Sequence, residues 1–227
     1  MSFPRLALFD LDGTLLDSAP DMLAVVNHMR SLHGREPMPL STLRPVVSKG
    51  ARAMLAAAFP DIDTTIRESW VPDFLAHYER ELGRHGEPFP GVPAMLDALE
   101  ADGCTWGIVT NKPEYLARQL MPLLGWQARC AVLIGGDTLP VRKPDPLPLV
   151  HAARQLGFTP AEAVYVGDDE RDIVAARAAG MPSVVALWGY RLADDRPDAW
   201  QGDVLVEDPA ALCLASAWPD TVNAGPA

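Results

Sequence analysis

From Val92 onward the chain alternates between two periodicities, and this alternation restricts the fold more than any other feature. Helical spacing over 92–101, 113–123, 146–156 and 170–179 is separated by short apolar runs over 105–110, 131–134, 162–166 and 182–187. Strands that alternate with helices of this length predict a parallel, doubly wound α/β sheet. The run Arg5-Leu-Ala-Leu-Phe9 reads as one more buried strand, and a last strand near 203–206 with a helix near 208–216 completes the pattern. In such sheets ligands bind in the crevice beyond the carboxyl ends of the strands.

One stretch breaks the alternation. Between Pro20 and His85 apolar residues recur at helical spacing, as in Met22, Val25, Val26 and Met29, or Phe74, Leu75 and Tyr78, with no strand signal. A helical insertion over 18–89 follows the first strand, and the breaker cluster Glu87-Pro-Phe-Pro-Gly91 returns the chain to the sheet.

Composition excludes several classes of partner. Across 227 residues the formal net charge is −11, which argues against nucleic acid or an anionic membrane surface, since both require basic patches. A small anionic ligand stays compatible with that charge, because a bound cation reverses the local field. Hydrophobic content of 48% with 22% charged residues is that of a globular protein, the last few residues after Trp218 excepted. Cys104, Cys130 and Cys213 have neither metal-ligand spacing nor a disulfide framework. The N-terminal apolar run is too short for a signal peptide, and no run reaches membrane-spanning length. A cytoplasmic monomer or small homo-oligomer is expected.

Four strand ends carry the polar residues. The first ends in Phe9-Asp10-Leu11-Asp12-Gly13-Thr14 and the next in Thr110-Asn111. Lys143-Pro144-Asp145-Pro146 follows the third, and Gly167-Asp168-Asp169-Glu170-Arg171-Asp172 ends the fourth. In a parallel sheet all four converge on one crevice. An acidic residue at a strand end often only caps a helix, and a lone lysine in a loop is commonly solvated. Four such coincidences at neighbouring strand ends are a different matter.

In order and spacing these segments resemble the four motifs of the haloacid dehalogenase-like hydrolases, over essentially the whole core. The resemblance implies a Rossmann-like core over 1–17 and 90–227, with residues 18–89 as a mobile helical cap hinged at Asp17-Ser18-Ala19-Pro20 and Phe89-Pro90-Gly91. It implies Mg²⁺ as cofactor and a small phosphorylated metabolite as substrate. Asp10 would be the nucleophile that takes the phosphoryl group, and also a metal ligand. Asp12 would protonate the departing alkoxide and then deprotonate the attacking water, its carbonyl oxygen ligating the metal. Asp168 would be a further ligand, since magnesium prefers hard oxygen donors. Lys143 would place a positive charge near both nucleophile and phosphate. Thr110 and the Asn111 backbone N–H would hold phosphoryl oxygens during transfer, and Asp172 would act at one remove, through water.

Within the insertion, Ser48-Lys49-Gly50-Ala51-Arg52 interrupts the apolar pattern with two cations and a glycine. Lys49, Gly50 and Arg52 are therefore candidate substrate contacts, although an ordinary helix start with solvated charges has the same appearance. The segment Phe9–Asp21 resembles the phosphoglycolate phosphatase group. The segments Val47–Met54, Trp106–Pro113 and Gly167–Ile173, and Trp188-Gly189-Tyr190, are closer to N-acetylmuramic acid 6-phosphate phosphatases. Both implied groups are bacterial enzymes.

A β-phosphoglucomutase-like isomerase shares the motifs and the cap type. A phosphonatase places a Schiff-base lysine near the position of Lys49 but lacks an acid at that of Asp12. A phosphoacceptor signalling domain lacks both the large insertion and the Asp-x-Asp-Gly-Thr segment.

Overall fold

The computed structural model describes Ser2–Thr221, so most of the tail expected after Trp218 and the final residues of the 90–227 core segment lie outside the described residues. Six strands form one parallel sheet: β1 (Leu6–Phe9), β4 (Thr105–Val109), β5 (Leu133–Ile134), β6 (Ala163–Gly167), β7 (Ser183–Ala186) and β8 (Val204–Val206). Their spatial order is β5-β4-β1-β6-β7-β8, every neighbouring pair parallel. After β1 the chain builds outward on one side through β4 and β5, then crosses to the other side at β6. The topological switch therefore falls at β1, which is where ligands gather in such sheets.

Register turns this order into a site. Phe9 lies beside both Ile108 and Val166, so Asp10 stands level with Val109 and Gly167. Thr110 and Asp168 are then one residue farther along the same edge. The four residues of β1 are all buried because both faces of the sheet are covered. Ala7 and Phe9 pack on the side of α6 (Val92–Ala101) and α7 (Glu114–Leu123). Leu6 and Leu8 pack on the side of α8 (Leu147–Gln155) and α9 (Glu170–Ala179). Period-two alternation thus feeds two cores from one short strand.

The insertion is helical as expected. It comprises α1 (Ala19–Leu32), α2 (Leu40–Leu43), α3 (Ala51–Ala58), α4 (Thr64–Ser69) and α5 (Val71–Glu81). Met22, Val25, Val26 and Met29 form the buried stripe of α1, and Phe74 and Tyr78 that of α5. Its two ends are joined by a feature too short to read as a pattern: β2 (Leu16–Asp17) pairs antiparallel with β3 (Glu87–Pro88). Asp21, fully buried, fastens the return by accepting hydrogen bonds from the backbone N–H groups of Gly83, His85 and Gly86 at 2.8, 2.7 and 3.1 Å.

The helix expected near 208–216 is instead two 3₁₀ turns, Pro209–Cys213 and Ala215–Ala217. Leu214 between them is extended, at φ −108° and ψ 128°, and breaks helical continuity. Leu212 and Trp218 are buried there while Leu214 stays exposed. All three cysteines are free. Among the described residues no helix is long and apolar enough to cross a membrane.

Candidate active site

Asp10, at the end of β1, is buried, and its Oδ1 accepts the Leu11 backbone N–H at 2.7 Å. Lys143 Nζ lies 3.1 Å from the same oxygen, 2.7 Å from Asp172 Oδ1, and donates to the Tyr165 hydroxyl at 2.7 Å. The three N–H bonds of the ammonium are thereby matched to three partners, two of them anionic. Tyr165 in turn donates to the Val109 carbonyl at 2.6 Å, which ties the lysine to the sheet. Burial alone would lower the Lys143 pKa, but Asp10 and Asp172 outweigh it and hold it above the ordinary value. Asn111 Nδ2 donates to the Lys143 carbonyl at 2.9 Å, so its side chain braces the lysine loop.

Asp172 touches Lys143 directly. Its second oxygen accepts the Asp169 backbone N–H at 3.0 Å as the N3 residue of a capping box that starts α9. Burial raises its pKa, with Lys143 opposing.

Asp168 is fully buried between two close backbone approaches. A Cβ at Gly13, whose φ is +89°, would stand 2.2 Å from Asp168 Oδ2, and one at Gly189 would stand 2.2 Å from Asp168 Cβ. The carboxylate accepts from Thr14 Oγ1 at 3.0 Å, Ser48 Oγ at 2.9 Å and the Tyr190 N–H at 2.9 Å. Burial first, then the charges of Asp10 and Asp172, drive its pKa well above the carboxylate range.

The crowding of these carboxylates tests the site for a cation. Asp10, Asp168 and Asp172 present oxygens within 4.8 Å of one another, against the single cation Lys143 that contacts two of them. The Asp12 carbonyl belongs to the same neighbourhood, 3.4 Å from the Ser48 hydroxyl that donates to Asp168. A buried set of hard oxygens with excess negative charge fits a divalent cation such as Mg²⁺.

The pocket above these residues has two unlike halves. Asp10, Asp12, Thr110, Asn111, Lys143 and Asp172 form its polar floor, while Met22, Val47, Met54, Phe74 and Leu75 of the insertion form an apolar roof. Of the insertion residues expected at the substrate, Gly50 lines the pocket. Lys49 and Arg52 do not. Lys49 Nζ reaches Asp169 at 2.8 Å, and Arg52 turns outward to Glu68 at 2.8 Å. Asp169 also holds Arg171 at 2.8 Å; these cations overcome the opposing effect of burial and bring its carboxyl down to about 2. Trp188 and Tyr190 do not line this pocket. Trp188 Nε1 donates to the Thr14 carbonyl at 2.9 Å, and Tyr190 OH donates to Asp17 at 2.7 Å.

Three pocket residues were given no role by the sequence. Lys112 Nζ lies 3.0 and 3.1 Å from the two Asp12 oxygens and donates to the Tyr78 hydroxyl at 2.6 Å. Tyr78 fits the apolar stripe of α5 and is buried in it, so its hydroxyl is silent in the pattern. Arg171 lines the pocket and donates to the Ser48 carbonyl. Position offered a hint for two of them: Lys112 is two residues beyond Thr110, and Arg171 lies within the Gly167–Asp172 strand end.

A parallel sheet switching at β1, with a carboxylate pair, a threonine, a lysine and an acidic cluster at its carboxyl edge, defines a hydrolase of the haloacid dehalogenase-like class. The haloacid dehalogenase-like hydrolase family model matches residues 7–186, and the chain belongs to that family. A phosphoglycolate phosphatase of Xanthomonas campestris pv. campestris is 65% identical over 96% of this chain and 99% of its own length. An N-acetylmuramic acid 6-phosphate phosphatase of Pseudomonas aeruginosa is 42% identical over 92% of each chain. Among solved structures, a "predicted phosphoglycolate phosphatase" from Haemophilus somnus superposes with a TM-score of 0.81 at 26% identity, covering 93% of this chain and 97% of the other.

Proposed function

We propose that this chain is a Mg²⁺-dependent phosphomonoester hydrolase that transfers the phosphoryl group to Asp10 and then to water, with 2-phosphoglycolate as its substrate. The observation that carries the chemistry is the contact of Lys143 with Asp10, at 3.1 Å in a buried site whose neighbouring carboxylates call for a second cation. Two anions, carboxylate and phosphate, meet only where positive charge is fixed beforehand.

Asp10, Asp168 and the Asp12 carbonyl would hold the cation, which when bound supplies charge neutralisation for the phosphate. Lys143 orients the Asp10 carboxylate and faces the incoming phosphoryl oxygens. Thr110 Oγ1, which accepts the Lys112 backbone N–H at 3.2 Å, keeps its own proton for a phosphoryl oxygen. Asp12 gives a proton to the ester oxygen as the P–O bond breaks, and takes one from the water that attacks the aspartyl-phosphate. Residues 18–89 act as a cap over the pocket, and the roof they supply excludes bulk water during the first transfer. The 65% identity to a phosphoglycolate phosphatase supports the choice of substrate.

The apolar roof favours one further reading. Met22, Met54, Phe74 and Leu75 offer packing surface to a larger leaving group, as in an amino-sugar 6-phosphate. Turnover of 2-phosphoglycolate, N-acetylmuramic acid 6-phosphate and common hexose phosphates decides between them. The highest kcat/KM is expected for 2-phosphoglycolate; conversion of glucose 1-phosphate to glucose 6-phosphate without phosphate release would instead establish an isomerase.

A further inference from the structure

Lys112 is a buried ammonium in a place where the phosphoryl chemistry does not need one. Its side chain is 2% exposed, and its contacts are Asp12 and the neutral Tyr78 hydroxyl. The other cations of the pocket are engaged by other groups: Lys143 by Asp10 and Asp172, and Arg171 by Asp169 and the Ser48 carbonyl. Lys112 instead stands where the polar floor gives way to the apolar roof, beside Tyr78 of α5.

Its position relative to the bond that breaks follows from Asp12. To protonate the ester oxygen, Asp12 has to come within hydrogen-bond reach of it. Lys112 is already within that reach of both Asp12 oxygens, so the ammonium and the ester oxygen are neighbours around one carboxyl group. A substituent two bonds from the ester oxygen on the leaving-group side comes within reach of Lys112, in the pocket that Met22, Met54, Phe74 and Leu75 also line. In the free pocket the anion that accompanies this buried ammonium is the Asp12 carboxylate. With Tyr78 holding one donor, a small rotation of the ammonium exchanges one Asp12 oxygen for an oxygen of the substrate.

We propose that Lys112 is the specificity-determining cation of this pocket, recognising a carboxylate whose carbon lies two bonds from the ester oxygen and so selecting small phosphorylated 2-hydroxycarboxylates. The inference rests on the phosphomonoesterase reading above and names the residue that would choose among its substrates. Tyr78 holds the ammonium at the boundary, which makes the insertion part of the selection.

The test compares 2-phosphoglycolate with 2-hydroxyethyl phosphate, which differ in carboxylate against hydroxymethyl on the same kind of primary alkoxide. In Lys112→Met, kcat/KM for 2-phosphoglycolate should fall roughly 10- to 100-fold more than for 2-hydroxyethyl phosphate, the excess appearing in KM, as expected for one lost charge-assisted bond. Lys112→Arg should keep most of the preference. With the unaltered chain, glycolate should inhibit competitively at concentrations where ethylene glycol does not, a readout that needs no variant to fold. An equal loss on both esters would reduce Lys112 to a positioning residue for Asp12 and overturn the inference. So would an unaltered chain that hydrolyses both esters equally well, and that result would leave the phosphatase reading intact. Failure to hydrolyse any phosphomonoester would instead remove the reading on which the inference stands.

Discussion

The Ser48 hydroxyl donates a 2.9 Å hydrogen bond to Asp168 Oδ2 across 120 residues of chain. One side chain of the insertion thus touches the deepest carboxylate of the acidic cluster, and the neighbouring Lys49–Asp169 pair and the Arg171 bond to the Ser48 carbonyl reinforce the seat. Ser48→Ala should raise deuterium uptake across residues 44–50 and raise KM a few-fold, while costing only about 1 kcal/mol of overall stability. Unchanged uptake in that segment would mean that the insertion is seated by its apolar contacts alone.

Lys143→Met should damage both chemistry and fold. It leaves Asp10 and Asp172 facing one another in a buried site without their shared cation. A stability loss of roughly 3–5 kcal/mol is expected from breaking a buried pair on one side. A fall in kcat of ~10²-fold or more should accompany it, as for removal of one fixed positive group from the transferring phosphoryl oxygens. Denaturant melts and steady-state kinetics measure the two effects separately.

Chelation should stop turnover reversibly, and it has a readout that does not depend on activity. The three carboxylates within 4.8 Å of one another repel in the cation-free chain. Adding Mg²⁺ should therefore raise the melting temperature, with a stabilisation of about 2.7 kcal/mol at a hundred times its dissociation constant. Asp168→Asn should abolish that shift. A melting temperature indifferent to Mg²⁺ in the unaltered chain would contradict the assignment of the cluster as a cation site.

Gly189→Ala should act on the cation site from behind. The added methyl would stand 2.2 Å from Asp168 Cβ and 2.4 Å from the Gly13 carbonyl oxygen, and the latter is backbone that cannot swing aside. A loss of about 1–3 kcal/mol from overpacking and a weaker apparent Mg²⁺ affinity are expected together. Loss of stability with unchanged affinity would show that Asp168 is held in place without this contact.

The pattern of what could be read in the sequence follows from which interactions are local. Asp10, Asp12, Thr110 and Asp168 each sit where an apolar strand turns polar, so periodicity exposes them and parallel pairing assembles them. Lys143 is legible only because its loop follows a strand. The contacts of Lys112, Tyr78 and Ser48 depend on how the insertion sits on the sheet, which no periodicity encodes. The same limit explains Arg52: a cation in a break between apolar stripes looks poised for a ligand, yet α4 offers Glu68 on the outer side. The β2–β3 pair escapes notice because two residues cannot display a period. The C-terminal turns escape because Pro209 and the extended Leu214 compress what reads as one helix into two short pieces.

Whether the phosphoryl group passes through Asp10 is tested most directly by a quench experiment. Chain mixed with substrate and Mg²⁺ is stopped in acid within the first turnover, reduced with borohydride and digested for mass spectrometry. The account predicts a phosphoryl increment on the peptide carrying Asp10 before reduction, homoserine at position 10 after it, and neither in Asp10→Asn, whose turnover should fall by at least ~10³-fold. Phosphate release at an undiminished rate from Asp10→Asn, or a phosphoryl group captured on any other residue, would contradict it.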